Sequence, residues 1–140
     1  MHFPIQLIHG RFIKRYKREV KYEESRFDLT AQNDKKTCFI DVKNVTMKTG
    51  KYAQFPDAVT TRGLKHLKTL TKAREEGFRA VMLYIIQRMD VEIFTPAYEI
   101  DPQYADGLKK AVKGGVEIIP LQVRVSPESI ELFRELPWEI

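Results

Sequence analysis

Apolar and polar positions change period along the chain, and each change marks an element. In "SRFDLTA" (25–31), Phe27, Leu29 and Ala31 alternate with Arg26, Asp28 and Thr30, the period of two that predicts a strand with one buried face. The polar run "QNDKK" predicts a turn that returns the chain into "TCFIDVKNVTM" (37–47) as an antiparallel partner. From Thr60 or Thr61 the period lengthens. Leu64, Leu67, Leu70 and Ala73 form a narrow apolar stripe on a helix capped by a threonine hydroxyl and stopped at Gly77. "FRAVMLYIIQ" (78–87) is apolar almost throughout, which predicts a strand covered on both faces. "VEIFT" gives a short strand. A second helix then opens with Asp101 as cap and Pro102 at the first helical position, carries a stripe of Tyr104, Ala105, Leu108, Ala111 and Val112, and ends at Gly114. "VEIIPLQVRV" is the last long strand. Upstream, "YKREVKY" (16–22) reads as a strand, while "FIKRYKREV" also suits a basic helix with Phe12 and Tyr16, four apart, as core positions.

Antiparallel strands followed by helix, strand, helix, strand predict an α/β fold, a mixed sheet with flanking helices. No repeat, low-complexity tract or linker interrupts the 140 residues, so residues 1–140 are expected to form a single domain. Hydrophobic residues make up 43% of the chain, too many for disorder. The longest apolar run, "AVMLYII", is far shorter than the roughly 20 residues a membrane-spanning helix needs. The opening "MHFPIQLIHG" lacks a signal-peptide core, and the single cysteine, Cys38, cannot form an internal disulfide. Both features lead us to expect a cytoplasmic protein without a membrane partner. Cys38 reads as a small buried hydrophobe in preference to a nucleophile.

Charge divides the chain. Through Arg74 there are 17 Lys and Arg against 7 Asp and Glu; from Glu75 onward there are 7 against 12. A basic half suits a polyanion, most often nucleic acid, although a solvated Lys-rich surface or an acidic protein partner gives the same pattern. Arg11, Lys14, Arg15, Lys17 and Arg18 near the N-terminus, Arg26 on the hairpin, and Arg62, Lys65 and His66 on the first helix are the candidate DNA contacts. Phe12 and Tyr16 could stack bases of single strands. His66 has no His or Cys at ligand spacing, so the sequence does not mark it as a metal ligand.

The segment "CFIDVKNVT" carries the candidate chemistry. Alternation puts Asp41 and Lys43 on one face, about 6.5–7 Å apart at their Cα atoms, with Cys38, Ile40 and Val42 on the other. The hairpin brings Asp28 opposite Asp41 or one diagonal step away, and Glu19 could add a third carboxylate from the preceding element. Carboxylates so placed repel unless a cation lies between them, and Mg2+ or Mn2+ resolves the repulsion. A lysine beside that metal can orient or help deprotonate the attacking water and offset charge on a phosphate. The bland alternative is a surface salt bridge on a half-exposed strand. Asp57 caps or braces the loop before the first helix, or supports a metal ligand from behind; Gln87 closes a strand end, or hydrogen-bonds near the site. Trp138 is expected to pack the C-terminal tail onto the domain.

The blocks "EVKYEESRFDLT", "FIDVKNVTM", "FPDAVTTRGLKHLKTL", "EGFRAVMLYIIQR", "FTPAYEIDPQYADGLKKA" and "GVEIIPLQVRVSP", in this order, closely resemble the C-terminal domain of the sugar fermentation stimulation protein A (SfsA) family. The resemblance implies a PD-(D/E)xK restriction-endonuclease-like core, DNA binding and a divalent-metal site. It aligns Glu19 with the motif's acidic residue before the hairpin, Asp28 with its central aspartate, and Asp41 and Lys43 with the (D/E)-x-K element, where relatives commonly read E-V-K. Family members usually carry a preceding OB-like domain, which this chain is expected to lack. The resemblance implies either a Mg2+- or Mn2+-dependent nuclease or a non-cleaving DNA-binding regulator of sugar-catabolism genes; a homodimer is compatible with both. No aromatic platform flanked by paired carboxylates is present, which argues against direct sugar hydrolysis.

Overall fold

A computed structural model describes the backbone of residues 7–8, 11–12, 15–22, 25–33 and 36–140, and side chains from residue 37 onward. In chain order the elements are β1 (Leu7–Ile8), β2 (Arg11–Phe12), β3 (Arg15–Tyr22), β4 (Ser25–Asn33), β5 (Lys36–Val45), β6 (Met47–Thr49), β7 (Tyr52–Phe55), α1 (Thr61–Glu75), β8 (Arg79–Ile86), β9 (Ile93–Pro96), α2 (Pro102–Lys113), β10 (Glu117–Val125) and β11 (Ile130–Glu135). The fold is mixed α/β, as the sequence predicts. Six strands form one sheet in the order β11-β10-β8-β5-β4-β3, and β6-β7-β9 form a second. β5, β8 and β10 run parallel, while β3, β4 and β11 add antiparallel to the two sides.

β8 occupies the middle because all of its residues but the first are buried, as an apolar run covered on both faces must be. Its even positions, Ala80, Met82, Tyr84 and Ile86, join the larger core with Leu67, Leu70 and Ala73 of α1 and Tyr104, Leu108 and Ala111 of α2. Its odd positions, Val81, Leu83 and Ile85, join Cys38, Ile40, Ile119 and Val123 on the opposite face. Burial pushes the Cys38 thiol up to about 12, in keeping with the apolar role the sequence assigns it.

Both helices begin as predicted. Thr60 caps α1, its hydroxyl accepting from the Gly63 N–H at 2.9 Å, and Gly77 (φ 96°) follows the last turn. Asp101 caps α2, accepting from the Tyr104 N–H at 3.0 Å through Oδ1. Its other oxygen accepts from the Thr60 N–H at 2.9 Å, so one buried carboxylate ties the starts of both helices together.

Several expectations change. The helical alternative for "FIKRYKREV" fails, since Phe12 lies in β2 and Tyr16 in β3. The strand foreseen over 37–47 ends at Val45; Met47–Thr49 instead turns through Gly50 (φ 59°) to pair with β7 in the second sheet. β7 and β11 were not foreseen. Tyr52–Phe55 is too short to show a period, and β11 is exposed along its whole length, so neither carries a clear burial signal. The tail does pack back, but through its backbone: Phe94 bridges to Trp138 and the Glu139 N–H donates to the Phe94 carbonyl at 2.9 Å, while Trp138 itself stays 39% exposed. Among the described residues no helix is long and apolar enough to cross a membrane.

Candidate functional site

The β3–β4 and β4–β5 ladders align the acidic positions. Arg18 pairs with Leu29 and Val20 with Phe27, which leaves Glu19 and Asp28 at the intervening step. Leu29 pairs with Ile40, and Asp28 and Asp41 take the next step. β5 and β8 continue the row with Asp41 beside Met82 and Lys43 beside Tyr84. Three acidic positions therefore follow one another across neighbouring strands, and continuing the β4–β5 register by one step beyond Leu29–Ile40 sets the Asp28 position opposite Asp41. Pairing persists to Asn33–Lys36, so the hairpin connection shortens to residues 34–35, outside the described residues.

Asp41 lies in the core, on the face covered by α1 and α2, and is 0% exposed. This rules out the half-exposed surface salt bridge. Lys43 Nζ reaches Asp41 Oδ2 at 3.2 Å from two residues along the same face, its side chain 17% exposed. His66 approaches from α1, with Nδ1 3.4 Å from Asp41 Oδ2 and 3.2 Å from Lys43 Nζ. A carboxylate taken out of water demands such partners, because an unpaired buried charge costs several kcal/mol at least.

The role foreseen for His66 as an exposed phosphate contact is thus corrected: it is buried and belongs to the Asp41–Lys43 cluster. Helix geometry is the reason. Gly63, His66, Leu67, Leu70 and Ala73 follow the three-and-four spacing of one buried face, and position 66 sits three after Gly63 and four before Leu70. Leu67, Leu70 and Ala73 were legible, but a histidine beside them reads as polar surface until a buried acid is found opposite. Arg62 and Lys65, on the same helix, are exposed as expected.

Behind Lys43 lies a second polar pair. The Tyr84 and Tyr104 hydroxyls meet at 2.6 Å, with both side chains fully buried. Burial lifts the Tyr84 phenol well above its ordinary range, and the Tyr104 hydroxyl and the Asp41 carboxylate lift it further. Gly63 packs against this pair; a Cβ there would meet the Tyr104 ring at 3.1 Å.

Asp57 lies exposed on the loop after the cis Phe55–Pro56 peptide and does not cap α1, because the Thr60 hydroxyl fills that position and Asp101 braces the loop. Gln87 is exposed, donates from Nε2 to Asn44 Oδ1 at 3.1 Å and closes the β5–β8 end through its backbone. It thereby does the simpler of its two foreseen jobs. Arg11, Arg15, Lys17, Arg18 and Arg26 lie on β2, β3 and β4, with side chains outside the described residues, as are those of Glu19 and Asp28; Lys14 falls outside entirely. Among the described residues no three His, Cys, Asp or Glu side chains cluster to hold a metal, so a site at Asp41 would draw its other acids from the β3 and β4 positions.

The chain matches the family model described as the sugar fermentation stimulation protein RE domain over residues 5–129. A sugar fermentation stimulation protein homolog of Paramagnetospirillum magneticum is 46% identical over 126 residues, covering 89% of this chain and 53% of the relative. One of Geobacter metallireducens is 46% identical over 121 residues, covering 85% and 52%. The chain spans about half the length of these relatives. The solved structure of Pyrococcus furiosus SfsA in complex with Ca2+ superposes with a TM-score of 0.84 at 35% identity, over 89% of this chain and 54% of that one. On a family match that runs through most of its length, and on relatives this similar, the chain belongs to the sugar fermentation stimulation protein family.

Proposed function

We propose that this chain binds DNA and hydrolyses its phosphodiester bonds at the Asp41–Lys43 cluster with the help of a divalent ion, Mg2+ or Mn2+, on a PD-(D/E)xK core. The observation that carries the reading is the buried Asp41 carboxylate with Lys43 Nζ 3.2 Å away, in a row with the β3 and β4 positions Glu19 and Asp28. A buried carboxylate with further acidic positions next to it on adjacent strands is costly, and few arrangements other than a cation site make use of it. The donor set fits a hard cation, which prefers carboxylate oxygen and water. Asp41, Asp28 and Glu19 would hold it, and the Ca2+ of the Pyrococcus relative is consistent with such a site. A bound divalent ion supplies a more acidic water and neutralises charge at the phosphate.

The protein's own groups account for the remaining steps. Exposed Arg62 and Lys65, with the basic positions of β2, β3 and β4, hold the backbone phosphates. The Lys43 ammonium, on the same face as Asp41, donates to the attacking water or to the phosphate oxygen on which charge grows as water adds and one ester oxygen leaves. In supercoiled plasmid incubated with Mn2+, Asp41→Asn and Lys43→Ala are expected to abolish nicking, with losses of at least about 100-fold, while circular dichroism stays native. Wild-type rates in both variants would overturn this mechanism.

One observation favours a second reading, a DNA-binding module that does not cut. The Lys43 ammonium already attends Asp41 Oδ2, so this carboxylate is compensated within the chain. That module would bind DNA in a salt-sensitive manner and leave plasmid intact even with Mn2+ and long incubation.

A further inference from the structure

Lys43 Nζ, Asp41 Oδ2 and His66 Nδ1 form a triangle with sides of 3.2, 3.2 and 3.4 Å. An ammonium has three hydrogens to give and no lone pair, a carboxylate oxygen accepts only, and an imidazole nitrogen does one or the other. The side between Lys43 and His66 therefore fixes the chemistry of the ring. If Nδ1 carried a hydrogen, two donors would face each other at 3.2 Å, whereas a bare Nδ1 faces the Asp41 oxygen only at the longer 3.4 Å, on a side that lacks hydrogen-bond geometry. With the hydrogen on Nε2, Nδ1 offers a lone pair to Lys43, and the ammonium lies between two acceptors.

We propose that His66 is a positioning residue: its Nδ1 accepts a hydrogen bond from the Lys43 ammonium and, together with Asp41, fixes that ammonium at the site of reaction. The inference rests on the hydrolytic reading above and adds a residue to it. The hydrogen bond to His66 engages one Lys43 N–H and the ion pair with Asp41 steadies the charge, which leaves hydrogens for the attacking water or the phosphate. Lysine held in this way serves as a hydrogen-bond donor to the reacting groups. Packing by itself does not call for imidazole at position 66, since its neighbours on the buried stripe are Gly63, Leu67, Leu70 and Ala73. His66 also follows the exposed Lys65 directly and lies one turn beyond Arg62, so the helix offered to phosphate is the one that orients the strand-borne lysine.

Nitrogen-15 NMR of the wild-type protein, of His66→Asn and of His66→Leu tests this, with plasmid nicking in Mn2+ measured alongside. Asparagine keeps an acceptor oxygen near the place of Nδ1, and leucine fills the space without one. The wild type is expected to show His66 Nδ1 bare and Nε2 protonated, with a slowly exchanging Lys43 ammonium signal. That signal survives in His66→Asn and disappears in His66→Leu. Nicking by the leucine variant falls about 10- to 100-fold in kcat with KM unchanged, the size of loss usual when a group that orients a reacting residue is removed, and asparagine restores it. A protonated Nδ1 in the wild type, or an unchanged Lys43 signal and rate in His66→Leu, overturns the proposal. Should His66→Leu fail to fold, the wild-type ring state decides alone. A wild type that nicks nothing while showing the bare Nδ1 and the slow Lys43 signal defeats the hydrolytic reading and upholds His66 as the acceptor that fixes Lys43.

Discussion

The Tyr84–Tyr104 pair allows a quantitative test of the core that supports the site. Each hydroxyl has the other as its partner at 2.6 Å, in a place where both side chains are 0% exposed. Replacing Tyr104 by phenylalanine deletes one partner and strands the Tyr84 hydroxyl where water cannot reach it, which costs about 1–3 kcal/mol. Tyr84→Phe strands the Tyr104 hydroxyl at a similar cost. Replacing both removes both polar groups from an apolar, ring-lined space in which Phe55 and Phe94 already pack against the pair. The double variant should thus be no less stable than either single one, giving a coupling energy of about 1–3 kcal/mol. Urea unfolding followed by circular dichroism measures it, since stability changes move the midpoint while the slope stays constant. Single losses that add within about 0.5 kcal/mol in the double variant would refute the argument and mean that the two hydroxyls do not depend on each other.

Asp101→Ala removes one cap from α2 and the brace on the Thr60 N–H together, so a loss of about 2–4 kcal/mol in urea unfolding is expected, with Asp101→Asn retaining about half of the contribution through its remaining oxygen. Because the Cys38 thiol is raised from 9.0 to about 12 in the folded chain, its contribution to stability is intact below about pH 9 and declines as pH rises from there toward 12, by about 1.4 kcal/mol per unit. Cys38→Ala should flatten that part of the stability–pH curve, and an unchanged slope would show that the thiol ionises as easily folded as unfolded. For DNA binding, Arg62→Ala and Lys65→Ala are each expected to lower the slope of log affinity against log salt by about 1 in fluorescence anisotropy titrations; an unaltered slope takes α1 off the phosphate-binding surface.

Local patterns on this chain were legible wherever one face of an element is buried and the other is wet. Leu67, Leu70 and Ala73, and then Tyr104, Ala105, Leu108 and Ala111, are buried where their spacing put them, Leu64 is half-buried at the edge of its stripe, and Thr60, Asp101 and Gly77 mark helix ends by chemistry that operates over three or four residues. The split of the 37–47 strand at Thr46 was not legible. Nothing in the alternation of "NVTMKT" says that Met47 will leave one sheet for another, since that exchange depends on Tyr52–Phe55 and Ile93–Pro96 arriving alongside. β11 was missed for a different reason: it is an edge strand with no buried face. At the site, the D-x-K spacing placed Asp41 and Lys43 together, while the sequence left Asp28 either opposite Asp41 or one diagonal step away, because the length of the turn, and with it the register, was not legible.

By itself the sequence determined the order of the two helices and the long strands, the mixed α/β class and the shared face of Asp41 and Lys43, all of which follow from side-chain period and end capping, properties that act over a few neighbouring residues. Tertiary structure alone decided that this face would be covered, that the carboxylate would be dry, and that His66 would cross from α1 to meet it. Period tells which side chains share a face; only the packing of residues far apart in the chain tells what that face will touch, and the charge chemistry of Asp41, Lys43 and His66 depends on that contact.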